Sequence, residues 1–230
     1  MSTKKIPRII HYCWFGGKPL SKETKELMKT WEEQCPDYKI MRWDESNFNI
    51  NKYNYAKEAY EKKKWAFIAD VCRLEKMYKF GGIYMDVNTK VFKNLDKFLN
   101  EDMFMGFEQD NHIAGCIFGA KKHHPFIKKI IKNFYKREHL IDENGEINLR
   151  TINSRMQEEL IKMGMNPEDS FQKLKDITVY PKEYFCPRYW NSPKQDRITD
   201  NTYTMHYFGA SWHDKDTRER LEQQRGGIVL

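Results

Sequence analysis

Two oxygen-bearing side chains, Asp86 and Asn88, follow a short apolar segment that starts after Gly81-Gly82. Residues two apart in a strand point to the same side, so both side chains can reach one ion where that strand ends. Carboxylate and amide oxygens suit the hard divalent cations Mg²⁺ and Mn²⁺. An Asp-x-Asn tripeptide alone is more typical of a turn, so its interpretation depends on the surrounding sequence.

The segment before this strand predicts a helix from Tyr55 to Lys79, with apolar residues at helical spacing. Asp70 and Arg73 lie three residues apart at the edge of its apolar stripe, where their side chains can interact. Gly81-Gly82 ends such a helix, because glycine readily adopts the left-handed conformation after the last turn. The predicted strand then runs from Ile83 to Asp86. A plain surface ion pair is the alternative interpretation of Asp70 and Arg73.

The other elements predict an α/β fold in one domain over residues 1–230. A strand at Ile6–Phe15, a helix from Ser21 to about Gln34 and a strand at Tyr38–Trp43 follow one another, an order typical of a parallel sheet. The remaining predicted elements are strands at Asp102–Glu108, Ile113–Ala120, Ile177–Tyr180 and Tyr203–Phe208, and helices that begin at Pro125 or span Thr151–Met163 and Asp214–Gln224.

The composition restricts the class of protein. No apolar run approaches the roughly 18 residues that cross a bilayer, and the first residues lack the apolar core of a signal peptide. The five cysteines are widely spaced without a Cys-x-x-Cys pair, which argues against a disulfide framework or a zinc site. We therefore expect a cytoplasmic protein.

The formal net charge of +7 at pH 7 indicates a solubilising surface or attraction to anions. Lysines lie on the outer side of the predicted helix that begins at Pro125. This pattern favours peripheral contact of the protein with the inner face of an anionic membrane. The sequence has none of the compact recognition motifs that nucleic-acid-binding proteins usually carry. We therefore expect no nucleic acid partner.

Three segments occur in an order that characterises one enzyme family. They are Ile6–Gly16 at the start, Ala66-x-x-x-Asp70-x-x-Arg73 with Gly81-Gly82-Ile83-Tyr84-x-Asp86-x-Asn88 in the middle, and His206-x-x-x-x-Ser211-Trp212 near the end. Together they resemble the sugar-binding Asp-x-Asp region and flanking elements of the family 32-type glycosyltransferases. These include bacterial capsular and exopolysaccharide transferases and yeast initiating mannosyltransferases. The catalytic domains of clostridial glucosylating toxins are more distantly similar.

The resemblance implies a GT-A fold, a Rossmann-like mixed sheet flanked by helices, with a nucleotide sugar bound at the carboxyl ends of the strands. It implies Mn²⁺ or Mg²⁺ as the cofactor, held by Asp86, Asn88 and His206. It gives catalytic roles to Asp86, Arg73 and Asp70. The implied contacts to the nucleotide sugar are Trp14, Phe15, Gly16, Asp70, Arg73, Tyr84, Asp86, Ser211 and Trp212, and those to the sugar or the acceptor are Glu108 and Asn111.

The implied activity is retaining transfer of a hexose from a nucleotide diphosphate sugar, in the first instance a UDP-sugar, to a glycan or lipid-linked acceptor in capsule or exopolysaccharide synthesis. Asn88 stands where the family usually has Asp, and a neutral amide offsets less of a metal's charge. We expect weaker metal affinity as a result, whether Asn88 is a natural variant or an engineered change. Two alternatives stay open: a toxin-like transferase that modifies proteins, and a degenerate domain that binds a nucleotide sugar or a glycan without catalysis.

Overall fold

The computed structural model describes residues 5–109, 111–189 and 196–208, apart from the side chain of Gln109. This part of the chain contains nine strands and six α-helices. The strands are β1 (Ile9–Cys13), β2 (Lys39–Trp43), β3 (Gly82–Met85), β4 (Thr89–Val91), β5 (Met103–Gln109), β6 (His112–Ala120), β7 (Gln172–Lys173), β8 (Thr178–Tyr180) and β9 (Thr204–His206). The helices are α1 (Lys22–Gln34), α2 (Asn54–Glu61), α3 (Trp65–Phe80), α4 (Pro125–Ile130), α5 (Ile152–Lys162) and α6 (Lys182–Phe185).

Seven strands form a mixed sheet in the order β2-β1-β3-β6-β5-β8-β7. β1 is parallel to β2 and to β3, and β5 is parallel to β8. β6 runs antiparallel to both β3 and β5, so β3 and β5 point the same way. Consequently β1, β2, β3, β5 and β8 all end at one edge of the sheet. The predicted α/β class with a mixed sheet is confirmed, and the prediction of one domain over the whole chain stays a prediction.

The sheet lies between two apolar layers. Side chains alternate along a strand, and on β3 this places Tyr84 in a core cluster with residues of α2, α3 and α4. Ile83 and Met85 face the other way and pack in a second cluster that includes Trp31 of α1. Because both faces of β3 are buried, the backbone that leads to Asp86 is held from both sides. Within the described residues, every helix is too short or too polar to cross a lipid bilayer.

The predicted single helix from Tyr55 to Lys79 is wrong, because the structure has two helices there, α2 and α3. Lys63 adopts a left-handed conformation with φ of 55°, and the backbone N–H of Lys64 donates to the carbonyl of Ala59. A left-handed residue with this longer backbone hydrogen bond is the usual way in which a helix ends. The position is normally glycine, and a lysine there leaves no recognisable stop signal in the sequence. After the break, α3 begins at Trp65, and most of its residues are buried.

The late strand predicted at Tyr203–Phe208 is shorter in the structure and lies outside the main sheet. β9 pairs antiparallel with β4, and Thr89 lies opposite His206 in this two-stranded sheet. The pairing carries a residue from near the end of the chain to the segment that directly follows β3. The predicted helix at Asp214–Gln224 lies outside the described residues.

His11 on β1 is a fully buried histidine held in its neutral form. Its Nε2 donates to the carbonyl of Gly81 at 2.8 Å, and its Nδ1 accepts from Nε1 of Trp43 at 3.0 Å. The imidazole also stacks against the rings of Trp43 and Phe80. A second ring proton would face the indole N–H, and burial lowers the pKa of His11 to about 4.

We expect His11 to make the protein less stable in acid. Its pKa in the folded chain is lower than its ordinary value of 6.5, so the unfolded chain takes up the proton first as the pH falls. Between pH 6.5 and about 4 this costs up to about 3 kcal/mol of the free energy of unfolding. His11→Gln cannot take up this proton. The difference in unfolding free energy by which the variant is less stable than wild type, measured by urea unfolding, should therefore shrink as the pH falls from 6.5 to about 4. A deficit that is the same at pH 7 and pH 4 would contradict this assignment.

Candidate active site

Asp86 lies directly after β3, at the edge where five strands end. Its backbone N–H donates to the carbonyl of Cys116 at 2.8 Å, which continues the pairing of β3 with β6. The hydroxyl of Tyr84 donates to Oδ1 of Asp86 at 2.7 Å. The side chain of Asp86 is 28% exposed. One carboxylate oxygen is therefore oriented by the protein while the group as a whole stays accessible.

Arg73 of α3 connects the helix to the end of β3. Its Nη2 lies 3.1 Å from Oδ1 of Asp70, and its Nη1 lies 3.6 Å from Oδ1 of Asp86. Nη1 also donates to the carbonyl of Gly115 at 2.8 Å, and the guanidinium lies 4.4 Å from the centre of the Tyr84 ring. The structure thus brings together the helical pair and the strand-end carboxylate that the sequence singled out separately.

Burial and charge oppose each other in this pair. Burial alone would lower the pKa of Arg73, but Tyr84, Asp86 and Asp70 outweigh it and raise that pKa above its usual value. Burial raises the pKa of Asp70 to about 6, against the opposing effects of Arg73 and Arg155. The Asp70 side chain is only 10% exposed. The pair is therefore not a surface ion pair, and the contact of Asp70 with a sugar stays a prediction.

His206 reaches the same edge from β9. Its Nε2 lies 2.9 Å from Oδ1 of Asn88 and 3.7 Å from Oδ2 of Asp86. The backbone N–H of Tyr207 donates to the carbonyl of Asn88, which fixes the two segments against each other. Burial lowers the pKa of His206, but Cys116 and the Asp86 carboxylate outweigh it, so the pKa lies above its usual value. His206 therefore lies within hydrogen-bonding distance of Asn88 and within ion-pair distance of Asp86, the other two predicted metal ligands.

The donor atoms of Asp86, Asn88 and His206 form a partial set of metal ligands. Among the described residues, no group of three or more His, Cys, Asp or Glu side chains could hold a metal by itself. Mg²⁺ and Mn²⁺ do not need such a group, because they are commonly held by one or two carboxylates together with phosphate oxygens and water. The residues present therefore fit a hard divalent cation that a diphosphate helps to hold.

We expect Asn88→Asp to raise the affinity for Mn²⁺ by about tenfold, because it adds a negative charge beside Asp86 in a partly exposed position. Calorimetric titration with Mn²⁺ measures this change. Asn54→Asp is the matched control, since Asn54 is exposed at the first turn of α2 and the variant has the same net charge. Equal Mn²⁺ affinity in wild type and Asn88→Asp would refute a metal role for this position.

A second carboxyl group, that of Glu108, lies at the same edge at the end of β5. Nδ2 of Asn153, in the first turn of α5, donates to Oε1 of Glu108 at 2.8 Å. Burial raises the pKa of Glu108 to about 7, although the Asn153 amide opposes the shift. Glu108 was a sugar or acceptor contact implied by the resemblance, whereas Asn153 was not predicted, because its only sequence signal is the capping residue Thr151 that starts α5.

Gly115 on β6 provides the space that Asn153 occupies. A Cβ atom on Gly115 would lie 2.2 Å from Oδ1 of Asn153 and 2.9 Å from Cγ2 of Ile152. The carbonyl of the same glycine accepts from Arg73. This strand position therefore needs glycine for a packing reason, and it connects Arg73 with the start of α5.

We expect Gly115→Ala to lower the free energy of unfolding by about 1–3 kcal/mol, because the added methyl group displaces Asn153. Chemical denaturation measures the loss. The same change in an Asn153→Ala background should cost less, since the closest clashing atom is then absent. Strictly additive losses in the double variant would show that the two side chains do not compete for this space.

The residues predicted to contact the nucleotide lie at the end of β1. Trp14 is half-buried, and its indole N–H donates to the carbonyl of Lys18. Phe15 packs against Phe48 in the core, so its backbone and not its ring is available to a ligand. Gly16 has a φ of 92°, and a Cβ there would lie 2.8 Å from the Trp65 ring. The contact of this segment with a nucleotide stays a prediction.

The other predicted site residues are less informative. Asn111 is exposed in the turn between β5 and β6 with a φ of 68°, and its carbonyl accepts from Gln157. Its contact with a sugar or an acceptor stays a prediction. Ser211 and Trp212 lie outside the described residues.

The mixed seven-stranded sheet, flanked by helices and with polar side chains at the end of β3, agrees with the predicted GT-A fold. The structure is similar to a solved structure described as PaToxG Glycosyltransferase, with a TM-score of 0.50 and 16% sequence identity over 70% of this chain and 71% of that one. At this identity the likeness bears on the fold alone, and it confirms the predicted GT-A fold.

Residues 21–105 match the family model of the glycosyltransferase sugar-binding region containing a DXD motif. This segment includes Arg73, Asp86 and Asn88, so the predicted resemblance to DXD-type glycosyltransferases is confirmed.

Two relatives come from Schizosaccharomyces pombe. Inositol phosphoceramide mannosyltransferase 3 is 30% identical over 56% of this chain and 37% of its own length. Inositol phosphoceramide mannosyltransferase 2 is 21% identical over 92% of this chain and 59% of its own length. The chain thus spans about half the length of these relatives.

Proposed function

We propose that this domain transfers a hexose from a nucleotide diphosphate sugar to a hydroxyl group of a glycan or lipid-linked acceptor, with Mn²⁺ or Mg²⁺ as the cofactor. The names of the two yeast relatives support mannose and a lipid-linked acceptor as the first candidates to examine. A UDP-sugar as the donor and a role in capsule or exopolysaccharide synthesis stay predictions from sequence.

One observation carries this proposal: Asp86, Asn88, His206 and Arg73 converge at the end of β3. Three of them offer ligand atoms to a cation, and the fourth is a buried guanidinium that stays charged. A cation and a guanidinium side by side suit a diphosphate, which carries several negative charges. In open α/β sheets, ligands bind beyond the carboxyl ends of the strands, where these residues lie.

The reaction breaks the bond between the anomeric carbon and the diphosphate oxygen, and it forms a bond from that carbon to the acceptor oxygen. A bound divalent cation would act as a Lewis acid that stabilises the charge of the leaving diphosphate. Asp86 and Asn88 would hold it, with Tyr84 orienting the Asp86 carboxylate. Arg73 would place a permanent positive charge beside the leaving group. We propose retention of configuration, with the departing diphosphate accepting the proton of the acceptor hydroxyl.

A panel of nucleotide diphosphate sugars tests the proposal. Thermal unfolding and release of free nucleoside diphosphate are measured for GDP-mannose, UDP-glucose, UDP-galactose and UDP-N-acetylglucosamine, each with and without Mn²⁺. We expect at least one sugar nucleotide to raise the melting temperature and to be slowly hydrolysed, in both cases only with Mn²⁺. Stabilisation without hydrolysis would favour the degenerate binding domain. If none of the compounds raised the melting temperature or was hydrolysed, the proposal would be overturned.

We also propose peripheral contact of the domain with an anionic membrane, as expected for a lipid-linked acceptor. Lys128 and Lys132, on α4 and the π-helical turn that follows it, are exposed, whereas Lys129 forms an ion pair with Glu159 at 2.6 Å. Exposed lysines near an anionic surface add attraction that salt weakens. Co-sedimentation with vesicles should therefore rise with the anionic lipid content, and binding that ignores this content would refute the contact.

A further inference from the structure

Cys116 and Cys186 form a buried pair of thiols that the proposed mechanism does not use. Cys116 lies on β6 and Cys186 directly follows α6. Their Sγ atoms are 3.3 Å apart, although the two residues are 70 positions apart in the chain. Both are free thiols in the structure. The wide spacing of the cysteines argued against a disulfide framework, but the fold brings these two into contact.

The surrounding elements hold the two thiols in this contact. β6 lies inside the main sheet between β3 and β5, so the backbone of Cys116 is paired on both sides. The backbone N–H of Cys186 donates to the carbonyl of Lys182 at 2.8 Å, at the end of α6. Both cysteines are buried and belong to the same apolar cluster. Two groups that are held at contact distance react with each other far more readily than the same groups free in solution.

The pair also connects the two parts of the chain that carry candidate cation ligands. The carbonyl of Cys116 accepts from the backbone N–H of Asp86 at 2.8 Å. On the other side, the hydroxyl of Thr204 on β9 donates at 2.9 Å to the carbonyl of Phe185, the residue before the second cysteine. β9 ends at His206. A covalent bond between the thiols would therefore fasten the strand beside Asp86 to a segment that is hydrogen-bonded to β9.

A peroxide can form this bond in two steps. In the first, the O–O bond of the peroxide breaks, one sulfur gains an OH group to become a sulfenic acid, and water or an alcohol leaves. In the second, the other sulfur attacks the first, the S–S bond forms, and water leaves. The two thiols together lose two electrons and two protons, and the peroxide is reduced.

The first of these steps is slow in the folded protein. The Cys186 thiol and burial together raise the pKa of Cys116 well above its usual value, which keeps this group in its less reactive thiol form. Burial also means that a peroxide reaches the pair only when the structure opens locally. Once one sulfur has reacted, its partner is already adjacent, so disulfide formation outruns further oxidation.

We propose that Cys116 and Cys186 are a redox-sensitive modification site, at which a peroxide forms a disulfide that fastens β6 to the segment after α6. The disulfide joins residues 70 positions apart, which restricts the unfolded chain and makes the folded state more stable. It also ties the neighbour of Asp86 to the neighbour of β9, so the arrangement at the end of β3 should persist to higher temperature.

The test counts thiols and locates the cross-link in folded wild type. The protein is treated with hydrogen peroxide and then unfolded in the presence of an alkylating reagent, and its peptides are mapped by mass spectrometry. We expect two of the five free thiols to be lost and one disulfide to join Cys116 to Cys186. The oxidised protein should melt about 5–15 °C higher than the reduced protein, and dithiothreitol should reverse both changes.

Two variants distinguish this pair from the other cysteines. Cys186→Ala should form no disulfide under the same treatment, and its melting temperature should not rise. Cys35→Ala is the matched control, because Cys35 is also buried in the same apolar cluster. This control should form the cross-link and gain stability on oxidation as wild type does.

Peptide mapping of wild type decides the inference even where a variant does not fold. Five intact thiols after the treatment, sulfinic acids at these residues without a disulfide, or a disulfide between other cysteines would each overturn it. A cross-linked protein that melts no higher than the reduced protein would also overturn it. None of these measurements involves a nucleotide sugar, so the inference is tested separately from the proposed function.

Discussion

Arg73→Met is expected to lower the free energy of unfolding at pH 7 by about 3–5 kcal/mol. The guanidinium is almost fully buried, and it pairs with Asp70, lies near Asp86 and donates to the carbonyl of Gly115. A methionine side chain fills much of the same volume but leaves Asp70 as a buried carboxylate with little compensation. Urea unfolding monitored by circular dichroism measures the loss.

The loss of unfolding free energy caused by Arg73→Met should depend on pH. The folded-state pKa of Asp70 is already raised to about 6, so Asp70 makes the folded state less stable as the pH rises through that value. Without Arg73 this pKa rises further, and the deficit should therefore be larger at pH 7 than at pH 5. Arg8→Met is the control, because Arg8 forms an exposed ion pair with Asp96 and its loss should change stability little. A deficit for Arg73→Met as small as that of the control would contradict the buried network.

Asp86→Asn is expected to lower kcat/KM for donor hydrolysis or transfer by about a thousandfold. The amide keeps an oxygen that can accept from Tyr84, so the shape of the site is preserved. What is lost is the negative charge that would hold a divalent cation and lie beside Arg73. Activity is measured as release of nucleoside diphosphate, once at a saturating and once at a limiting concentration of Mn²⁺.

Asn88→Ala serves as the comparison for Asp86→Asn, since it removes an amide oxygen from the same edge without changing the charge. Its effect should be smaller and should be overcome in part by more Mn²⁺. A melting temperature for Asp86→Asn close to that of wild type would show that the variant is folded. Retention of more than about a tenth of wild-type activity in folded Asp86→Asn would contradict the role assigned to this carboxylate.

Local periodicity predicted one part of the site, because the helical spacing of three placed Arg73 beside Asp70. The strand spacing of two does not apply to Asp86 and Asn88, since both follow β3 and Asn88 lies in the turn before β4. The residues were therefore singled out correctly, but the predicted strand geometry between them was wrong. The structure adds that α3 lies close enough to the end of β3 for Arg73 to reach Asp86.

Contacts between distant elements could not be predicted from the residues alone. His206 reaches Asn88 through the pairing of β9 with β4, and only the family resemblance had suggested it. Asn153 reaches Glu108 because α5 packs on β6 over a glycine, and nothing in its local sequence indicates this. The break at Lys63 was missed because a lysine, and not the usual glycine, adopts the left-handed conformation there.

Binding of a nucleoside diphosphate as a function of Mn²⁺, measured by calorimetry in wild type and Asp86→Asn, tests the site at the end of β3 most directly. In wild type, saturating Mn²⁺ should tighten the binding of the preferred diphosphate, GDP or UDP, by at least about tenfold. In Asp86→Asn, Mn²⁺ should have almost no effect on the same constant. Equal tightening in both proteins, or none in wild type, would contradict a cation site formed by Asp86, Asn88 and His206.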